Sequence, residues 1–393
     1  MSQFDEVIER RGTCAGKYDG LKLLYGNADL LPMWVADMDF KAPKEVIDAV
    51  VKRAEHGVFG YSMFGSFYTD APINWHEKRN HIAYKKDSIF FTQSVLRSLN
   101  LAILGLTNEG DSVMISLPTY GPFAKVPAGA KRNWVGSHLR KTGHSYEIDF
   151  QDFEETIIKN NVKLYILCNP HNPTGRVWTE KEIVTILSIC KKHQVLVVSD
   201  EIHSDLIMPG QTFIPAMKVA REIGYDQSLM VLTAPTKTFN MAGLQVSYYI
   251  VENKELQAKM AEAKAYTHVS DLLNNFSYIS LEAAYEHGDS YVDELTSYIY
   301  ENYQYMCKEL EQRCPKVEIT DLQATYLTWL NVNYLNTTEE VLRKAMVNHG
   351  LAIQTSQDFF EKDDLCIRVN LACPRETLEF GVAMLVSGLK SLS

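Results

Sequence analysis

Three short apolar runs, each stopping abruptly at a polar side chain, restrict this chain more than any other feature. Leu164-Tyr165-Ile166-Leu167-Cys168 empties into Asn169-Pro170-His171-Asn172-Pro173-Thr174-Gly175. Val195-Leu196-Val197-Val198-Ser199 ends on Asp200, and Leu229-Met230-Val231-Leu232 leads into Thr233-Ala234-Pro235-Thr236-Lys237. Runs this apolar and this short read as strands buried on both faces. Between the first two, Thr179 and Glu182 form a capping box that opens a helix reaching about His193. Strand, helix and strand then read as a right-handed βαβ crossover, which predicts an α/β fold. Open α/β sheets hold their ligands just past the C-terminal ends of their strands. Asn172, Asp200 and Lys237 are therefore expected in one region.

A lysine in a partly dry pocket has a lowered pKa, so its free amine can attack a carbonyl and form a Schiff base. Taken alone, Lys237 could equally be a surface lysine following a strand. Asp200, at a buried strand end, needs a cationic partner because an unpaired buried charge is costly. A pyridinium nitrogen is such a partner, and a ring kept protonated acts as an electron sink. Asn172 offers an amide to a ring phenolate. Together the three strand ends resemble a pyridoxal-phosphate site.

Further along the same logic, Ser88–Thr92 reads as a strand and Ser94-Val95-Leu96 opens an apolar helix lasting to Leu106. A strand-turn-helix junction presents free N–H groups and a positive dipole end, a cradle for phosphate. The cradle is assigned to the N–H groups of Val95 and Leu96, with the Ser94 hydroxyl added. Arg368 sits mid-strand between Ile367 and Val369, where a buried guanidinium needs an anion: a carboxylate held in its fork, or an internal Asp or Glu.

The ordered set NPHNPTG, SDEIH and TAPTKTFN resembles the aspartate-aminotransferase fold type of pyridoxal-phosphate enzymes. More narrowly it is similar to the MalY/PatB-type branch of cystathionine β-lyases, the cysteine C–S lyases. Residues 31–40 (LPMWVADMDF), 56–61 (HGVFGY) and 367–375 (IRVNLACPR) carry the same resemblance, which runs over almost the whole chain. It implies the type I pyridoxal-phosphate transferase fold, a large domain with a mostly parallel sheet between helices and a smaller α+β domain. It implies pyridoxal 5′-phosphate linked to Lys237, with Tyr120 stacked on the ring and Arg368 and Asn172 holding the α-carboxylate of an amino-acid substrate. It also implies a homodimer in which Tyr61 crosses to the cofactor phosphate of the other subunit. The wider family often has a Gly or Ser three residues before this lysine and an Arg eight residues after it, where this chain has Ala234 and Gln245. The phosphate is then left to Ser94, Thr233, Thr236, backbone N–H groups and Tyr61. The implied activity is C–S β-elimination. An aminotransferase is the nearer alternative, and a cofactor-holding regulatory protein the more distant one.

At 393 residues the chain is long enough for two domains around a large core. The expected division is an N-terminal arm (1–42), a large cofactor-binding domain (43–285) and a small C-terminal domain (286–393). Residues 1–40 show little regular pattern, and the arm reads as packed with the small domain and a partner subunit, which Tyr18, Tyr25 and Trp34 favour over a loose terminus. Helical patterns follow at 254–264, 271–287 and 291–313. A net charge of −10 with scattered Lys and Arg argues against nucleic acid and against an anionic membrane as partner. Seven dispersed cysteines without a Cys-x-x-Cys pair give no disulfide framework and no metal site. The N-terminus lacks an apolar signal core and no run is long enough to span a bilayer, so a cytoplasmic enzyme is expected. His203, three residues after Asp200, is left outside the catalytic set.

Overall fold

The computed structural model describes residues 2–63, 68–268 and 273–393. Its centre is an eight-stranded sheet built from β2 (Ile89–Thr92), β3 (Ser112–Leu117), β4 (Asn133–Thr142), β5 (Ser145–Ile148), β6 (Val162–Cys168), β7 (Leu196–Asp200), β8 (Leu229–Thr233) and β9 (Ser247–Val251), with β1 (Leu31–Pro32) lying outside it. The order is β2-β9-β8-β7-β6-β3-β4-β5. Neighbours from β8 to β4 are parallel, and β2, β9 and β5 add antiparallel flanks. Both faces of β6, β7 and β8 are largely buried, which is why Leu164–Cys168, Leu196–Val198 and Leu229–Leu232 read as apolar runs. Along β6, Leu164 and Ile166 join the core under the helix Val95–Leu106, whereas Tyr165 and Leu167 join the larger core on the opposite face. The capping box holds as expected: Glu182 N–H donates to Thr179 Oγ1 at 3.3 Å and Thr179 N–H donates to Glu182 Oε2 at 2.8 Å.

A second sheet of β10 (Glu318–Ile319), β11 (Leu327–Asn331), β13 (Gln354–Thr355) and β14 (Cys366–Asn370), with β12 (Leu351–Ala352) outside it, is antiparallel in the order β10-β11-β14-β13. Its register sets Arg368 opposite Trp329 on one side and Gln354 on the other. The helices Glu339–Asn348 and Arg375–Lys390 accompany this sheet.

Local pattern falls short in three places. The β4–β5 hairpin goes unpredicted because its strands carry polar and charged residues on a half-exposed surface. The expected helix at 271–287 is observed as Asn275–His287, and residues 271 and 272 lie outside the described residues. The N-terminal segment packs on its own chain: β1 pairs in parallel with β12, more than 300 residues away. No helix among the described residues is long and apolar enough to cross a membrane.

Candidate active site

The C-terminal ends of β6, β7 and β8 open into one cavity, whose lining includes Asn172, Asp200, Thr236, Lys237, Tyr120, Ser94, Val95 and Leu96. Thr233 is not in that lining. It is buried, and its hydroxyl donates to the Glu201 carbonyl at 3.4 Å. Tyr61 also stays away from its own protomer's cavity and is 97 % exposed.

Asp200 is the last residue of β7 and is buried. Burial raises its carboxyl to about 7, against the opposing pull of the Ile202 N–H at 3.1 Å and of Lys237. Among the described residues no cation lies within ion-pair distance of it. Lys237 follows β8 on a turn closed by Phe239 N–H on the Pro235 carbonyl at 3.0 Å. Thr238 anchors that turn by donating to buried Asp205 at 2.8 Å. The Lys237 ammonium donates to the Ala36 carbonyl. Burial, then the nearby Arg368 charge, lower its amine to about 8, while Asp37 and Asp200 pull the other way.

Ser94 is the N-cap of the helix Val95–Leu106, and its hydroxyl accepts from Arg97 N–H at 3.2 Å. The N–H groups of Val95 and Leu96 follow at the first turn, where a helix has no acceptor to offer them. Tyr120 lies beside the cavity, edge-on to Phe123 at 5.6 Å between ring centroids.

A second chamber adjoins the first and shares Ala36, Tyr120 and Lys237 with it. Arg368 lies there, 3 % exposed. Its Nη1 donates to Asn172 Oδ1 at 2.9 Å, and its Nη2 donates to the Trp34 carbonyl at 2.9 Å and to Gln354 Oε1. The Phe359 ring lies 4.6 Å from the guanidinium carbon. No carboxylate pairs with Arg368 among the described residues, which removes the internal salt bridge as its explanation. Its Nε is buried without a hydrogen-bond partner.

These features fit pyridoxal 5′-phosphate. Asp200 lacks the cation that a pyridinium nitrogen supplies, the helix N-terminus suits a phosphate, and Lys237 has the lowered pKa of an imine-forming amine. His203 also lines the cavity, and its buried Nδ1 has no partner, so a polar ring substituent would satisfy it. Three contributors carry no signal in the sequence. Gln354 lies on a two-residue strand, and the Trp34 and Ala36 groups are backbone carbonyls, whose chemistry is independent of residue type.

The family model for aminotransferase class I and II matches residues 29–385. The chain belongs to that family. Within the aminotransferase class I and II family it is 34 % identical to cystathionine beta-lyase PatB of Bacillus subtilis, over 98 % of this chain and 99 % of the relative. It is 32 % identical to protein MalY of Escherichia coli over the full length of both. The PLP-bound C-S lyase of Staphylococcus hominis superposes with a TM-score of 0.91 at 32 % identity, covering 99 % of this chain and 98 % of that one.

Proposed function

We propose that this protein is a pyridoxal-phosphate-dependent carbon–sulfur β-lyase. It cleaves L-cystathionine or a related cysteine thioether to a thiol, pyruvate and ammonia. The observation that carries the reading is the position of Lys237, which lines both the cavity holding Asp200 and the chamber holding Arg368. The likeness to PatB supports the choice of reaction. When bound, the cofactor supplies a ring that accepts the electron pair left behind when the α-proton departs.

The chain's own residues do the rest. Asp200 would hold the ring nitrogen protonated, and the N–H groups of Val95 and Leu96, with Ser94 and Thr236, would hold the phosphate, with Tyr120 beside the ring. The Asn172 carboxamide oxygen is engaged by Arg368, which leaves its NH₂ for the ring phenolate. Arg368 takes the substrate α-carboxylate through its fork. The neutral Lys237 amine then takes the α-proton onto Nζ, and the same proton can be returned to the departing sulfur. The outer chamber is lined by Tyr120, Phe359 and Phe360 among others, a setting that suits a thioether side chain.

The reading extends to a homodimer, supported by the exposed apolar side chains of Val58, Phe59, Tyr61 and Met63 on one loop. It also extends to a division into arm, large domain and small domain at 1–42, 43–285 and 286–393, supported by the separate sheets. A cytoplasmic location is supported by seven free thiols.

Elimination and transamination share the first proton abstraction and part afterwards, which gives the test. L-cystathionine alone, with no keto acid added, is expected to yield homocysteine, pyruvate and ammonia over many turnovers. A single stoichiometric conversion, renewed only by a keto acid, would make the protein an aminotransferase. No reaction or spectral change with any L-amino acid would favour a regulatory role.

A further inference from the structure

The stretch Trp34–Met38 crosses the site as a strap, and each of its carbonyls has a side-chain partner. Trp34 O accepts from Arg368, and Val35 O accepts from Asn370 Nδ2 at 2.7 Å. Ala36 O accepts from Lys237 and from Tyr326 OH, the latter at 3.0 Å. Asp37 O accepts from Asn370 at 2.7 Å and from Lys17 at 3.3 Å, and Met38 O accepts from Arg10 at 3.0 Å. Arg368 and Lys237 thus lean on a piece of chain that has no secondary structure of its own to stiffen it.

Asn370, Tyr326 and Asn240 hold the strap by hydrogen bonds, and a four-charge cluster on its far side adds to them. Arg10 reaches Asp37 at 2.9 Å and Asp39 at 2.7 Å, and Lys17 reaches Asp39 at 2.8 Å. The Lys17 and Asp39 side chains are 1 % and 6 % exposed. Lys17 also takes Trp34 Nε1–H onto its carbonyl at 3.1 Å. A charge group this deep is costly unless every member is paired, so it has one low-energy arrangement and fixes the chain that bears it.

We propose that Arg10 and Lys17, with Asp37 and Asp39, are positioning residues for the substrate-carboxylate site, acting through the Trp34 carbonyl on Arg368. The proposal rests on the reading of Arg368 as the carboxylate ligand. If the strap shifts, Nη2 loses a backbone acceptor and the fork turns away from the edge that meets substrate. Cofactor contacts at Asp200 and at the helix N-terminus do not involve the cluster. Lys237 also touches the strap, at Ala36, but in the holoenzyme its amine is taken up by the cofactor, so loss of the cluster falls on KM more than on kcat and leaves the visible cofactor band in place.

The test uses the holoenzyme and L-cystathionine as substrate, with Lys17→Met, Arg10→Gln, Arg368→Lys and the two double variants with Arg368→Lys. Each cluster variant is expected to raise KM about tenfold, the effect of one misplaced hydrogen bond to a charged group, with kcat changed far less. In the Arg368→Lys background the same substitutions should add little, because the residue they act through is already altered. Lys17 is buried, so Arg10→Gln, nearer the surface, carries the test if Lys17→Met does not fold. A lower thermal midpoint with unchanged KM in the folded variants would make the cluster merely structural and overturn the proposal. Fully additive effects with Arg368→Lys would overturn it too. An unchanged KM in Arg368→Lys itself would instead remove the carboxylate reading on which the proposal stands.

Discussion

Burial of Lys237 beside Arg368 sets the protonation state on which its chemistry depends. Its amine titrates near 8, against an ordinary lysine value of 10.5. Only the neutral amine attacks an aldehyde, so capture of pyridoxal phosphate by cofactor-free protein should quicken as pH rises through about 8. Arg368→Met removes a like charge from the site, and the midpoint should move upward. The growth rate of the visible band against pH measures both. A wild-type midpoint near 10, or no movement in the variant, contradicts the electrostatics described here. Arg368→Lys keeps the charge but cannot reproduce contacts to Asn172, Trp34 and Gln354 at once. It should weaken substrate binding by roughly 1.5–3 kcal/mol and leave the cofactor band alone, checked by KM and spectrum. At this scale Asn172, Asp200, Lys237 and Arg368 were legible in the sequence because each is a polar side chain in an apolar setting that demands a partner. The strap from Trp34 to Met38, which touches Lys237 and Arg368, was not, since its contribution is made by carbonyls.

Elements divide along the same line. Strands β6, β7 and β8 are legible because burial on both faces leaves runs that are apolar almost throughout, with Asp200 and Thr233 falling at strand ends. The β4–β5 hairpin carries polar and charged residues on a half-exposed surface, and the N-terminal segment pairs with chain more than 300 residues away, so local pattern records neither. The helix Val95–Leu106 offers the sharpest test of an element's role. Ser94 before it is extended, with φ −160° and ψ 155°, a conformation compatible with a following proline. Proline is tolerated at the first helical position, where its missing N–H has no intrahelical bond to lose. Val95→Pro should therefore keep the helix and delete one donor to the phosphate. Cofactor affinity should fall by about 1.5–3 kcal/mol, as for a hydrogen bond to a charged group. Circular dichroism and cofactor titration check the two halves, and unchanged affinity would place the phosphate elsewhere.

On the scale of the whole molecule, the chain brings Asp200, the N-terminus of the helix Val95–Leu106 and Arg368 around Lys237, yet leaves Tyr61 97 % exposed. Tyr61 sits on a loop tied down at Gly60 and Ser62 by Asn275, at 2.7 and 3.1 Å, so its projection into solvent is held by structure. An aromatic presented this way beside exposed Val58, Phe59 and Met63 suits a surface covered by a second copy. If Tyr61 completes the phosphate site of that copy, Tyr61→Phe weakens cofactor binding in every homodimer, and Lys237→Ala abolishes turnover in every homodimer. In a mixed dimer, the subunit retaining Lys237 meets an intact Tyr61 from its partner, and one site is whole. Co-refolding or co-expressing the two variants at limiting cofactor should therefore recover activity that neither has alone. A tyrosine serving its own subunit's site predicts no recovery, because the subunit that keeps Lys237 would still carry the phenylalanine.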